Sequence, residues 1–137
     1  MQSITGWQDH ILAGRQYLKT ATQGLSRPAV FNNELIFQLA AMAIEKIMVG
    51  VCQYHQQMPV DHTLSGLVAA LAPVCPGHEE LAARIKGIEA IDDICTLSAA
   101  RRKSPDDGAV RQILAVGCEV RRFARQHVPW EGMQTAA

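Results

Sequence analysis

The chain has 137 residues, 48% of them apolar and 19% charged, and its 13 basic side chains match its 13 acidic ones. That balance excludes a disordered chain, a membrane protein by bulk composition and a nucleic-acid binder that works by net charge alone. One domain of about 100–150 residues accounts for the length.

Helical periodicity organises the whole sequence, without any strand-like alternation. Ile4, Trp7, Ile11 and Leu18 recur at three- and four-residue steps, predicting a first helix from Thr5 to Gln23, ended by Gly24. The spacing predicts a second helix over 33–57, capped by Asn32 or Asn33, with Glu34 in its first turn. Its apolar residues, from Leu35 to Cys52, cover most of the circumference, so it is expected at the centre of a bundle. A short third helix is expected over 62–71, with Asp61 as its cap.

A fourth helix is expected over 78–98, with Glu79 and Glu80 in its first turn and Arg101, Arg102 and Lys103 just beyond its end. Ser104-Pro105-Asp106-Asp107 reads as the start of a fifth helix, with Ser104 the cap and Pro105 at the first position. Gly117, in mid-helix, predicts a close helix crossing. The expected fold is therefore all-α, an up-and-down bundle of four long helices and one short one in a single domain, 1–137. Its core spans about 5–127, with a loose tail over 128–137. No apolar run reaches the ~20 residues of a membrane span. The segment Met1–Trp7 lacks the pattern of a signal peptide, so a cytoplasmic location is expected.

Charge is unevenly spread. Residues 1–100 carry 6 basic and 9 acidic side chains, whereas 101–127 carry 7 basic and 3 acidic. A basic segment on a neutral chain suits a phosphate or an acidic partner. Metal chemistry finds little support at this level. None of the five histidines has the glutamate three residues earlier that a di-iron bundle uses. Two Cys-x-x-His pairs, Cys52/His55 and Cys75/His78, have the ligands of a Cys₂His₂ site. A third helix of about ten residues would carry the chain ~15 Å from the end of the second, so Cys75 is expected far from Cys52. No metal and no cofactor are expected. Cys52, Cys75, Cys95 and Cys118 read as buried apolar side chains. Arg122 and His127 form Arg-x-x-x-x-His, the pair of a metal-independent ribonuclease, but five steps on one helix leave them about 140° apart.

Ala40-Ala41-Met42-Ala43-Ile44-Glu45-Lys46, followed by Pro59-Val60-Asp61-His62-Thr63-Leu64, resembles the HEPN domain family. Arg101-Arg102-Lys103-Ser104-Pro105 looks like the Arg-Tyr-Pro element before that family's last helix, and 115–120 is similar to the closing helix. The resemblance covers residues 30–125. It implies a homodimeric bundle in a family that binds nucleotides or RNA or partners nucleotidyltransferases, and that includes many ribonucleases. The first expectation for this chain is a binding module, not itself catalytic, that holds a nucleotide or RNA phosphate or docks a nucleotidyltransferase or antitoxin partner. The ligand contacts expected for that module are Arg101, Arg102, Lys103, Lys46 and His62. Catalytic members carry Arg-x(4–6)-His near the start of the last helix; here Asp106, Asp107 and Gly108 stand there, and the Arg122/His127 match falls at the far end. The alternatives are a toxin- or defence-type ribonuclease using Arg122 and His127, and a structural dimer partner with no ligand.

Overall fold

The computed structural model describes residues 2–96 and 104–129, with side chains over 6–91 and 104–129. Five helices and no strand occur among the described residues: α1 (Gln2–Gly24), α2 (Asn33–Tyr54), α3 (Leu64–Leu71), α4 (Glu79–Thr96) and α5 (Asp107–His127). This is the all-α bundle of four long helices and one short one. Arg101, Arg102 and Lys103 lie outside the described residues.

α2 is the interior helix. Ala40, Ala43, Ile44, Ile47 and Val51 are fully enclosed, because α1, α3 and α5 all pack on it. By length and composition α2 could also cross a membrane, with a mean hydropathy of 1.8, which corrects the expectation that no segment reaches that length. Within the bundle, 61% of that apolar stretch is buried.

α1 lies antiparallel against α2. A side chain at Gly14 would meet the Ala43 carbonyl at 2.9 Å, and one at Gly50 would meet the Trp7 carbonyl at 2.8 Å. Both glycines let the two backbones approach more closely than any larger residue allows. Gly117 does mark a crossing: a side chain there would lie 2.8 Å from Leu18 Cδ1 of α1.

α2 and α5 run parallel. At their starts Asn33 Nδ2 donates to the Pro105 carbonyl at 3.1 Å and to Asp107 Oδ1 at 2.9 Å. At their ends His55 Nε2 lies 2.9 Å from the His127 carbonyl. α4 returns antiparallel to α5, tied by the Arg84–Glu119 ion pair.

Three local expectations change. Thr63 caps α3, its hydroxyl accepting from Gly66 N–H at 3.0 Å, while Asp61 accepts from the Thr63 amide instead. Asp106 caps α5 by accepting from Ala109 N–H at 2.8 Å, so Ser104 and Pro105 precede the helix. α3 also runs parallel to α2. The loop after Tyr54 doubles back along α2 until His62 stands 3.7 Å from Glu45, and α3 then climbs to the end of α2 again. A loop alone reverses the chain here, so consecutive helices need not alternate in direction.

Candidate functional site

Two places gather chemistry-bearing side chains. The first is a groove of about 450 Å³ between α1 and α5, lined by Arg15, Lys19 and Arg121 together with Gln16, Thr22 and Gln23. Among the described residues, none of those lining it is acidic. Arg15 and Lys19 are four residues apart and so share one face of α1. The Leu18–Gly117 crossing brings that face to α5. Burial, then the nearby Arg121 and Arg125, lower the Arg15 pKa from its ordinary value. Cations that repel each other at close range mark a place that favours an anion.

The second place is the end of the bundle where α2, α3 and α5 finish. His55, Cys75 and His127 each bring a ligand atom within 4.8 Å of the other two. His78 Nε2 stands 3.0 Å from His127 Nε2. Phe123 packs beneath both rings, 4.8 Å from His78 and 4.7 Å from His127 between centroids. A carbonyl can only accept, so His55 donates its Nε2–H to the His127 carbonyl, and in the neutral tautomer this leaves the lone pair on Nδ1. His127 is pushed below the ordinary histidine range by burial, then by His78 and His55, which keeps its ring neutral near pH 7.

The expected separation of Cys75 from Cys52 does not hold. Burial, and next the neighbouring Cys75, push the Cys52 thiol up to about 11. Burial raises Cys75 as well. The physical reason is the doubled-back loop: it descends α2 by about the distance that α3 then recovers, which returns Cys75 to the level of Cys52 and His55.

The remaining predicted residues are dispersed. Arg122 is exposed on α5, whereas His127 turns inward onto His55, His78 and Phe123. Lys46 is half-buried on α2. His62 is exposed beside a cavity of about 260 Å³ that also holds Glu45 and Glu89, carboxylates that disfavour phosphate. Sequence reasoning passed over Arg15 and Lys19, although their four-residue spacing on the polar face of α1 was a usable signal. It did find both Cys-x-x-His pairs and lacked only the path of the chain between them.

No family model, curated protein or solved structure matches the chain, so both sites are read from their own geometry.

Proposed function

We propose that this chain is a HEPN-like binding module that holds the phosphates of RNA or a nucleotide in the groove between α1 and α5. The observation that carries this reading is the convergence of Arg15, Lys19 and Arg121 on one groove. Two arginines present planar forks that fit phosphate oxygens, and Lys19 adds a point charge. Gln16, Thr22 and Gln23 offer polar side chains to sugar or base edges. The order of elements supports the resemblance: an apolar central helix carrying Glu45-Lys46, a short helix after Pro59, and a closing basic helix. The module works as a homodimer and does not itself cleave its ligand. Arg101, Arg102 and Lys103 supply a second cationic stretch along the sequence, and Lys46 takes a lesser part, whereas His62, beside Glu45 and Glu89, takes none.

Fluorescence anisotropy of a labelled single-stranded RNA, titrated across salt, tests the reading. The three groove contacts should by themselves contribute about −2 to the slope of log K against log salt, since each contributes about −0.7. Arg121→Ala should flatten that slope by about 0.7. Arg111→Ala, an exposed α5 position outside the groove, should leave it unchanged. A salt-independent signal, or equal losses in both variants, would overturn the groove as the binding site.

A further inference from the structure

The end cluster shares no residue with the groove, and phosphate binding gives it no role. We propose that His55, Cys75, His78 and His127 bind one transition-metal ion of the zinc class, which locks together the ends of α2 and α5 and the α3–α4 connection.

The donor set is the first argument. Three imidazoles and one thiol suit late first-row ions, zinc foremost. The hard ions magnesium and calcium call for oxygen ligands, and no carboxylate among the described residues belongs to the cluster.

Distance is the second argument. A tetrahedral ion at 2.0–2.1 Å from two nitrogens sets them about 3.3 Å apart. His78 and His127 already stand at 3.0 Å, and the trio of His55, Cys75 and His127 lies within 4.8 Å. Side-chain rotation of about 1 Å brings the trio to a nitrogen–sulfur edge of about 3.6 Å, and His78 joins the trio through its contact with His127.

The supporting shell is the third. Histidines that hold a metal through one ring nitrogen characteristically donate the other N–H to a carbonyl or carboxylate. His55 makes that bond to the His127 carbonyl, which fixes its tautomer and leaves Nδ1 for the ion.

The fourth argument is the field. α2, α3 and α5 all end here, and helix C-termini carry partial negative charge that favours a cation. Glu79 and Glu80, in the first turn of α4, offset the positive pole of the one described helix that starts beside His78. An apolar recess of about 100 Å³, lined by Cys75, His78, Phe123, Val120, Ile85 and Met48, flanks the site and leads to its surface.

The chemistry balances simply. Cys75 loses its thiol proton to solvent and binds as thiolate, while the ring now donating between His78 and His127 moves its proton to the other nitrogen. Four protein ligands leave no open position, so the ion is structural, not catalytic.

Full-length protein stripped with chelator and desalted is titrated with Co²⁺. The expected result is a thiolate-to-cobalt charge-transfer band with intense tetrahedral visible bands, saturating at one equivalent and erased by Zn²⁺. Cys75→Ser should remove the charge-transfer band, and His127→Gln should weaken binding about tenfold or more. Cys52→Ser and His62→Gln should keep the full spectrum. In a separate measurement, Zn²⁺ at about 100 times its Kd should raise the wild-type unfolding free energy by about 2.7 kcal/mol and leave Cys75→Ser, matched to wild type without metal, unmoved. A wild-type spectrum without the thiolate band, a band that survives Cys75→Ser, or equal stabilisation of both proteins would overturn the site.

Discussion

Where α2 and α5 begin, side by side, Asn32 and Asp106 each accept a backbone N–H from their own helix, and Asn33 joins the two starts through Asp107 and the Pro105 carbonyl. Where the same helices finish, His55 donates to the last-turn carbonyl of α5, and His127 meets His78. The parallel pairing places both positive poles at one end and both negative poles at the other. Donors left over at helix starts recruit short oxygen-bearing side chains, which act locally. Carbonyls left over at helix ends recruit N–H donors, and a histidine that donates from one nitrogen keeps a lone pair on the other. Capping thus exhausts the chemistry of the first end and leaves a converging set of donors at the second.

Phe123→Ala should break this contrast most strongly. The ring is nearly buried and supports both His78 and His127, so its loss should cost about 3–5 kcal/mol in chemical denaturation. The same variant should weaken cobalt binding, because the two imidazoles lose their common support. A cost under ~1 kcal/mol would mean that the histidines hold each other without it. At the opposite end, Asp106→Ala and Asn32→Ala should each cost about 1 kcal/mol and leave metal binding unchanged. A metal-affinity change in either variant would show that the two ends are coupled.

The smallest effect belongs to a turn at neither end and supplies the baseline. Bonds from the Thr63 hydroxyl, and then the Thr63 amide, hold the Asp61 carboxyl below the usual carboxylate range. A folded pKa below the unfolded one stabilises the fold above the unfolded value, near 3.9 for Asp, and that stability is lost as pH falls through the folded value. Asp61→Asn should therefore melt slightly below wild type at pH 7, and the two melting curves should converge in acid. A gap that persists in acid would assign the loss to geometry, with the charge playing no part.

Much of the architecture was readable because helix burial follows periodicity. Leu35 to Cys52 announced an enclosed helix, and Gly117 announced a close crossing, whose partner the fold supplies as Leu18. Cap identity was less readable. Asp61 and Thr63, like Ser104 and Asp106, are all competent caps, and the choice depends on where the first helical turn closes. The cationic groove was half readable: the excess of positive charge on the last helix was plain, but Arg15 and Lys19 come from a segment with a negative balance. The two Cys-x-x-His pairs were visible and were placed apart, because a helix length was counted without the loop before it.

By itself, the sequence determined which segments are helical, which helix lies inside and which residue types were on hand for chemistry, since each depends on neighbours within a few turns. Only the tertiary structure decided that α3 runs with α2, that α1 lends its arginine to α5, and that His127 reaches His55 and Cys75. Those contacts join residues dozens of positions apart. What sets them is the reversal of one loop, which no local pattern encodes, and the choice of which helix packs closely at Gly14, Gly50 and Gly117.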